Sequence, residues 1–306
     1  MRTLTFTVSA SEAGQRLDKL VVARAELGRR RVAELFQQGH VVVAGRRIPK
    51  GELAREGDEI VVSLEGDDRP SPEPEARLVI RLETPHLVIV AKPAGQPSAP
   101  LRGEGGTLAG ALLGHYPEMA SVGHSPREPG ILHRLDTQTS GLLIAARSVE
   151  AFNRLHAALR QGSMTKRYLA VVQAEGLPDA GVIDTPIAPD RKNPKRVLIV
   201  DGVAPRTGKN RARSAETRYR VVKIVGDLAL VEVTVSRALR HQIRAHLASI
   251  GHPLVGDVVY GGPPSEALGE RHALHASYIA WAGDDTVAGF ALEEPLPGDM
   301  ASLIAG

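Results

Sequence analysis

The apolar residues of the chain repeat with the spacing of helices in some segments and with the alternation of strands in others. In residues 16–25, Leu17, Leu20 and Val21 are spaced to share one face of a helix. The segment RRRVAELFQQG repeats that spacing, and its terminal Gly39 is a natural helix stop. The segments HVVVAGRRIPKG and GDEIVVSL are typical of short strands around turns. This part of the chain therefore predicts two helices followed by strands.

A proline-rich acidic segment divides the pattern in two. Residues 65–77, EGDDRPSPEPEAR, place three prolines among acidic residues. Such a segment continues neither a helix nor a central strand. We therefore predict a small domain over residues 1–65, a linker over residues 66–77 and a larger domain over residues 78–306.

The larger part of the chain mixes short strand-like runs with helical patterns. The runs include HLVIVAKPAG, SGLLIAARS, KRYLAVVQAE, ALVEVTV and ASYIAWAG, and the helical patterns are SVEAFNRLHAALRQG and LRHQIRAHLASIG. In the second helical pattern, Ile243, Leu247 and Ile250 form an apolar stripe, and Arg244 borders it without full burial. The mixture indicates an α+β domain on a mixed, mostly antiparallel sheet with flanking helices.

Composition limits the available chemistry. The 306 residues are 42% hydrophobic, which is enough for a core, and the absence of cysteine excludes disulfides, thiolate zinc sites and a cysteine nucleophile. The formal net charge of +3 and the pI of about 9.2 permit a nucleic-acid partner. No apolar run reaches the roughly 18 residues that span a bilayer. The N-terminus lacks the apolar core of a signal peptide. We therefore expect a cytoplasmic protein without membrane contact.

Motifs for cofactors and metals are absent from the sequence. The segment GVAPRTGKN has one residue too many between its glycines for a phosphate-binding loop, and Asn210 stands where a hydroxyl should follow the lysine. No G-x-G-x-x-G follows a strand, and there is no H-E-x-x-H. His241, His246 and His252 are not spaced as an i, i+4 metal pair. We therefore expect a mechanism that uses neither cofactor nor metal.

Two basic regions indicate contacts with phosphate. Arg29, Arg30 and Arg31 open the second predicted helix, where the helix dipole disfavours cations, so a phosphate bound outside the helix would explain them. The segment DRKNPKRVLIVDGVAPRTGKNRAR contains eight Lys or Arg and two Asp, which is typical of a clamp for an RNA backbone. A solvated charged surface is the alternative for both regions.

The stretch HRLDTQTSGLLIAA interrupts an apolar run with charged and hydroxyl residues around Asp136. A capped helix would place Glu or Gln three residues later, but that residue is Thr139. A turn aspartate that binds its own backbone is the simplest interpretation of the residue alone. The whole stretch favours a functional role, because it resembles the signature of the RluA/RluD-type RNA pseudouridine synthase family.

The resemblance extends over nearly all of the larger domain. LVIVAKPAGQP resembles the family's Lys-Pro-x-Gly strand and turn, TKRYLAVV its second block with Lys166 and Tyr168, and HQIRAHLASIGHPLVGDVVYG its third block with Arg244. ALHASYIAW and EEPLPGDM resemble its closing segments. The smaller domain resembles the alpha-L RNA-binding domain, which is a common N-terminal partner in this family. The resemblance implies that the chain isomerises uridine to pseudouridine within RNA, without a cofactor.

The resemblance implies catalytic roles for three residues. Asp136 matches the catalytic aspartate, which would attack C1′ of the ribose, attack the base or assist a glycal route, and the sequence does not separate these routes. Tyr168 would stack on the flipped uracil and could help to remove the proton from carbon 5. Arg244 would keep Asp136 ionised in a pocket that excludes water. Strand alternation places Lys166, Tyr168 and Ala170 on one face. Without the resemblance, Tyr168 would be interpreted as a core residue and Arg244 as a surface residue.

Further residues are expected to bind the RNA. Arg134 would fill the space that the flipped base leaves, and His133 would support the loop or contact phosphate. The expected RNA contacts are His133, Arg134, Lys166, Arg29, Arg30, Arg31, Arg46 and Arg47. Two departures from the family pattern bear on the substrate: Ala238 and Leu239 stand where Gly-Arg is usual, and Ser98 stands where many members have a histidine.

Large-subunit ribosomal RNA is the expected substrate, and transfer RNA is the alternative. A non-catalytic RNA-binding or ribosome-assembly protein would not need Asp136, Tyr168 and Arg244 intact. A nucleoside or glycoside hydrolase would need a second positioned carboxylate, and no matching acid stands in these blocks. We expect a monomer whose partner is RNA, with no small-molecule cofactor.

Overall fold

The structure, a computed structural model, describes residues 2–25, 27–64, 69–100, 105–200, 212–236 and 238–305. The chain divides into two units, Met1–Asp67 and Asp68–Gly306. Within the described segments, no helix combines the length and the apolarity that crossing a bilayer requires.

The first unit places two helices and a four-stranded antiparallel sheet around one apolar core. Its elements are β1 (Arg2–Thr7), α1 (Leu17–Ala25), α2 (Arg29–Gln38), β2 (Val41–Val43), β3 (Arg46–Arg47) and β4 (Glu59–Leu64), and the strand order is β1-β4-β2-β3. Helix α2 ends as predicted at Gly39, which has φ 74°. The amide of His40 then donates to the carbonyl of Leu35 and closes the last turn.

Strand β1 corrects the prediction that this unit begins with helices. It pairs antiparallel with β4 along its whole length. Leu4 and Phe6 alternate with threonines and pack against the core of the unit. The sequence feature that predicts β1 is the alternation TLTFT, which is typical of a strand with one buried face.

The second unit is built on a nine-stranded sheet with flanking helices. Its elements are β5 (Ile80–Glu83), β6 (Leu87–Lys92), α3 (Leu108–His115), a 3₁₀ helix (Pro117–Ser121), β7 (Ser140–Ala146), α4 (Val149–Gln161), β8 (Thr165–Gln173), β9 (Ala180–Ile183), β10 (Ile187–Pro189), β11 (Val197–Ile199), β12 (Thr217–Val225), β13 (Leu228–Thr234), α5 (Gln242–Ser249), β14 (Leu274–Gly283), β15 (Ala288–Glu293) and α6 (Gly298–Leu303). The strand order is β5-β6-β7-β14-β8-β13-β12-β9, with β15 paired to β14. Strands β10 and β11 form a separate pair.

The pairing confirms the predicted α+β fold on a mixed, mostly antiparallel sheet. Strands β7 and β14 run parallel, whereas the other described neighbours in the sheet are antiparallel. One apolar core includes residues of α3 and α5, and another includes residues of α4. Every residue of β7 is buried, because Leu143 faces the first core while Leu142 and Ile144 face the second. A strand covered on both faces explains the unbroken apolar run after the polar stretch.

Gly141, the second residue of β7, pairs with Ala276 of the parallel strand β14. Its φ is 114°, a backbone conformation that side chains disfavour. A Cβ at this position would collide with the carbonyl oxygen of Ala276 on β14 and would lie 2.6 Å from the amide nitrogen of the same residue. The glycine thus permits the β7–β14 contact immediately after the polar stretch.

We expect Gly141→Ala to destabilise the second unit strongly. The added methyl meets backbone rather than a movable side chain, so backbone strain and overpacking add to a loss of roughly 3 kcal/mol in the free energy of unfolding. Urea titration of the full chain measures this loss. Gly176→Ala is the matched control, since Gly176 also has positive φ but its Cβ would meet no atom within 4 Å. Equal destabilisation by the two substitutions would contradict the role of the β14 backbone.

The segment from residue 69 to residue 77 belongs to the second unit and packs on α3, although it was predicted as part of a linker. The amide of Glu73 donates to the carbonyl of Gly110 over 2.9 Å, and Oε1 of Glu73 accepts from the amide of Gly106 over 2.9 Å. A Cβ on Gly114 would collide with the backbone of Glu73. Glycines on α3 therefore allow a proline-rich segment without regular structure to lie on the helix. Residues 65–68 lie outside the described residues.

Candidate active site

Asp136 lies in a short loop that leads into β7 and is tied down on both sides. The hydroxyl of Ser98 donates to the carbonyl of Leu135 over 2.8 Å, and the amide of Leu135 lies 3.2 Å from the same hydroxyl oxygen. The amide of Gly95 donates to the carbonyl of Thr137 over 2.8 Å. Both partners follow β6, so the Lys-Pro-x-Gly turn holds the residues on either side of the aspartate. Ser98, a departure from the family pattern, contributes directly to this support.

Lys92 anchors the same loop from the end of β6. Its Nζ donates to the carbonyls of Pro93 over 2.7 Å, Gln96 over 2.8 Å and Thr137 over 3.1 Å. The residue is 2% exposed. Burial, assisted by the charge of Arg271, lowers the pKa of Lys92 to about 7. The sequence did not predict a role for Lys92. The feature that points to one is a lysine that ends an apolar strand immediately before a Pro-x-Gly turn.

Replacing Lys92 with methionine should destabilise the second unit and loosen the loop that contains Asp136. Methionine fills similar space but leaves three carbonyl oxygens without this donor, and an unsatisfied buried group costs about 1–3 kcal/mol. Because the loop can relax, we expect a total loss of roughly 3 kcal/mol in the free energy of unfolding, measured by urea titration. The control is Lys223→Met. Lys223 is exposed in the wild-type chain, and its Nζ donates to a single carbonyl, that of Ile304. Equal stability of the two variants would refute the anchoring role.

Arg244 on α5 is held in a fork by a second carboxylate. Its Nε donates to Oδ2 of Asp257 over 2.6 Å, and its Nη2 donates to Oδ1 of Asp257 over 2.8 Å. The remaining nitrogen, Nη1, donates to Oδ2 of Asp136 over 3.0 Å. The guanidinium carbon lies 5.1 Å from the centre of the Tyr260 ring. Two nitrogens of Arg244 therefore fix its orientation, and the third binds Asp136.

The burial of Arg244 corrects the expectation of a residue at the edge of the core. Arg244 is 6% exposed, and Ile250, the third member of the predicted stripe, is 37% exposed because α5 ends at Ser249. A buried guanidinium needs a partner, and Asp257, which is 1% exposed, supplies it. The sequence did not identify Asp257, because only the fold places it opposite the helix.

The electrostatic surroundings of Asp136 keep it ionised. Burial alone would raise the pKa of Asp136, but the charge of His241, which is present only at acid pH, together with the charge and the hydrogen bond of Arg244, outweighs burial and holds the pKa below its ordinary value. Its side chain is 26% exposed, and Oδ1 has no hydrogen-bond partner among the described residues. The site therefore offers an ionised carboxylate with one oxygen held and one available.

Tyr168 lines the same pocket as Asp136 and Arg244. It lies on β8 with Lys166 and Ala170, and all three are buried, which confirms the predicted alternation. Burial and the negative charge of Asp136 raise the pKa of Tyr168 well above its ordinary value. The phenol therefore keeps its proton at neutral pH, where it can stack or donate, and Asp136 is the ionised base that faces it in the pocket.

The pocket adjoins a wider cleft of about 820 Å³. Both are lined by Asp136, Arg134, His241 and Arg244. The cations that line the cleft are Arg127, Arg134, Lys195, Arg240 and Arg244. Since Arg244 is paired with two carboxylates and Arg134 with Glu128, the positive charge that a phosphate backbone would meet comes mainly from Arg127, Lys195 and Arg240.

The three expected RNA contacts nearest the aspartate differ in exposure. The side chain of Arg134 is 58% exposed at the cleft and pairs with Glu128 over 2.9 Å. His133 accepts from the amide of Ile144 over 3.4 Å, and burial with the charge of Lys166 lowers the pKa of His133 to about 3. A neutral imidazole bound to β7 suits support of the loop, one of the two roles proposed from the sequence. Lys166 is 5% exposed, and burial lowers its pKa to about 8.

The other expected RNA contacts lie in the first unit. Arg29, Arg46 and Arg47 are exposed. Arg31 is partly buried, with its Nη1 3.7 Å from Glu34. The side chain of Arg30 lies outside the described residues.

The basic segment after β10 is described only in part, and residues 201–211 lie outside the described residues. In the described part, Asp190 accepts from Nε of Arg196 over 2.7 Å, and Nη2 of Arg240 donates to the carbonyl of Pro194 over 2.7 Å. These contacts join the segment to the residues before α5 and place Lys195 at the cleft.

Comparison with protein families and with known sequences shows what the chain is similar to. A family model described as RNA pseudouridylate synthase matches residues 86–249. The ribosomal large subunit pseudouridine synthase D of Nitrosomonas europaea is 36% identical, covering 99% of this chain and 87% of the relative. The protein of the same name from Escherichia coli (strain K12) is 33% identical, covering 98% and 93%. An uncharacterized RNA pseudouridine synthase of Bacillus subtilis (strain 168) is 33% identical, covering 99% and 98%.

Among solved structures, human RNA pseudouridylate synthase domain containing 4 aligns with a TM-score of 0.56 at 24% identity, covering 73% of this chain and 90% of the human one. Human RNA pseudouridylate synthase domain containing 1 aligns with a TM-score of 0.54 at 21% identity, covering 73% and 86%. At these identities the likeness concerns the fold.

Proposed function

The chain belongs to the RNA pseudouridylate synthase family, and from that membership we propose that it converts specific uridines of large-subunit ribosomal RNA to pseudouridine. Two relatives that cover nearly the whole chain carry the ribosomal large subunit in their names. The reaction breaks the bond from C1′ to N1 of uracil and forms one from C1′ to C5. The proton of C5 is lost and N1 gains one, so that no redox partner is consumed.

The observation that carries the proposal is the convergence of Asp136, Tyr168 and Arg244 in one pocket. Asp136 is the catalytic carboxylate: Oδ2 is held by Arg244, and Oδ1 is available to the ribose or the base. Attack at C1′, attack on the base and a glycal route all need this carboxylate ionised. Tyr168 stacks on the uracil and, with its raised pKa, acts as a neutral phenol.

The RNA would be bound by the cleft of the second unit and by the first unit. Arg134 is exposed beside the pocket, where it can fill the space left by a flipped base. Exposed Arg29, Arg46 and Arg47 support an RNA-binding role for the first unit. The first unit would then be an RNA-binding domain that is followed directly by a catalytic domain.

The test is release of tritium from RNA labelled at C5 of uracil, followed by mapping of the modified positions. We expect release from large-subunit ribosomal RNA transcripts with the wild-type chain. Release from transfer RNA alone would assign the alternative substrate. Binding of ribosomal RNA without release from either substrate would instead indicate a non-catalytic assembly protein and refute the proposal.

Activity should be insensitive to pH on the acid side of neutrality. A carboxylate whose pKa is depressed stays ionised down to values below its ordinary 3.8, and it is lost only as the pH falls through that lowered value. His272, which also lines the cleft, has its pKa lowered to about 4 by burial and by the charge of Arg244. We therefore expect single-turnover rate constants at about pH 5 and about pH 6, where Lys92 is still protonated, to be equal. A steep decline over this interval would contradict the depressed pKa of Asp136.

We also propose that the enzyme acts as a monomer in the cytoplasm. The pocket is formed by residues of one chain, and ribosomal RNA as substrate favours that compartment. Sedimentation at working concentration, with and without RNA, tests the oligomeric state, and a sedimenting dimer would refute this part of the proposal. Cell fractionation tests the compartment.

A further inference from the structure

His241 is placed beside the catalytic carboxylate by a backbone conformation that is unfavourable for its residue type. It has φ 54° and ψ 16°, in the left-handed region, at the N-cap of α5. Its side chain makes no capping hydrogen bond, so capping does not offset the strain. Among the described residues, Ala44 is the other non-glycine with positive φ. Backbone strain that the surrounding structure holds in place is typical of residues whose side chains have a function.

The two ring nitrogens of His241 have different neighbours. Nδ1 lies 3.0 Å from the hydroxyl oxygen of Tyr260. Nε2 lies 3.7 Å from Oδ2 of Asp136, which is longer than a hydrogen bond. Catalytic hydrogen bonds are often long in an enzyme without substrate and shorten in the complex. The ring is therefore placed to engage Asp136 after a small movement.

The hydroxyl of Tyr260 favours one tautomer of the His241 ring. The amide of Val197 donates to the Tyr260 hydroxyl oxygen over 2.8 Å and takes one of its acceptor positions. Donation of the hydroxyl hydrogen to Nδ1 of His241 then completes the hydrogen bonds of that hydroxyl. In this arrangement the neutral ring carries its proton on Nε2, on the side of Asp136.

At neutral pH the ring brings a donor but no charge. Burial lowers the pKa of His241 to about 4 and outweighs the opposing charge of Asp136, and the charges of Arg244 and Arg240 act in the same direction as burial. Arg244 thus remains the cationic partner of the carboxylate. A neutral donor on the same oxygen can orient that carboxylate without competing for its charge.

We propose that His241 is a positioning residue, which donates from Nε2 to Oδ2 of Asp136 in the substrate complex and is kept in that tautomer by Tyr260 and Val197. Arg244 and His241 together then hold Oδ2, and Oδ1 is directed to the nucleotide. The inference rests on the proposed function, because it concerns the geometry of the carboxylate that the proposed reaction uses.

The first test compares His241→Gly with Ala44→Gly in the full chain. Glycine relieves positive φ at both positions, which offsets part of the loss of the His241 ring, so both variants should remain folded. We expect His241→Gly to lower the single-turnover rate constant at saturating RNA by about 10²-fold, because the carboxylate is misplaced, while the dissociation constant for RNA is unchanged. Ala44→Gly should leave the rate constant unchanged. A wild-type rate constant in His241→Gly would overturn the inference.

The second test removes the hydroxyl and retains the ring. Tyr260→Phe still places a ring beside Arg244 but frees Nδ1 of His241, and we expect the rate constant to fall by about tenfold with RNA affinity unchanged. Long-range ¹H–¹⁵N spectra of wild type should show Nε2 of His241 protonated and Nδ1 accepting. The Nδ1 resonance should move in Tyr260→Phe, and the Nε2 resonance in Asp136→Asn.

A proton on Nδ1 in the wild-type spectrum, or a Tyr260→Phe variant as fast as wild type, would also overturn the inference. Failure of the proposed function would give a different result: the wild-type chain would form no pseudouridine. The spectra would still identify the tautomer of His241.

Discussion

Asp136→Asn should abolish pseudouridine formation while RNA binding persists. Asparagine keeps the size of the side chain, and its carbonyl oxygen can still accept from Nη1 of Arg244, so the pocket should keep its shape. The negative charge needed at the sugar or the base is lost, and we expect the rate to fall by at least about 10³-fold. Tritium release at saturating RNA measures the rate, and filter binding measures the affinity.

Asp284→Asn is the control for the alternative that Asp136 is only a turn aspartate. Oδ1 of Asp284 accepts from the amides of Thr286 and Val287 in a turn remote from the cleft. If Asp136 served only its turn, its replacement would resemble that of Asp284, with a change in stability and normal turnover. Retention of a substantial fraction of wild-type activity by Asp136→Asn would remove Asp136 from the mechanism.

Arg244→Lys should also inactivate the enzyme, although the charge is conserved. Arg244 binds Asp257 with two nitrogens and Asp136 with a third, whereas an ammonium cannot reproduce that fork. We expect the single-turnover rate to fall by about 10²-fold, because Asp136 loses its fixed partner. The free energy of unfolding should fall by about 2 kcal/mol, since a buried charged hydrogen bond is lost.

The matched control is Arg218→Lys, because Arg218 is 61% exposed and forms a surface ion pair with Glu216. Such a pair contributes little, so neither rate nor stability should change. Circular dichroism establishes that both variants are folded, and urea titration gives the stability. Turnover near the wild-type value in Arg244→Lys would disprove the functional pairing of Arg244 with Asp136.

Much of the fold was predictable where a local pattern decides structure. The stop of α2 at Gly39 and the alternation of β8 depend on neighbouring residues, and both are confirmed. The packing of Glu73 on α3 was not predictable, because prolines show where regular structure ends and not where packing ends. Its partners Gly110 and Gly114 lie on a helix more than thirty residues later.

The candidate site shows the same division between local and distant information. Asp136, Tyr168 and Arg244 were identified from short blocks, and the structure brings them together. Asp257 and Lys92 were missed, because their roles depend on partners that are distant in sequence or on backbone carbonyls. Residue type indicates that a side chain can bind a carboxylate or a carbonyl, but only the folded chain determines which one it meets.

The position of β14 bears on how the enzyme is made. This strand lies between β7 and β8, yet it follows β8 by about a hundred residues in the chain. During synthesis, the loop with Asp136 and the strand with Tyr168 therefore leave the ribosome long before the strand that joins them. Such long-range pairing forms slowly, and until it forms, the edges of β7 and β8 remain open to wrong partners. A nascent chain that stops before Leu274 thus carries Asp136 and Tyr168 but lacks the strand that brings them together.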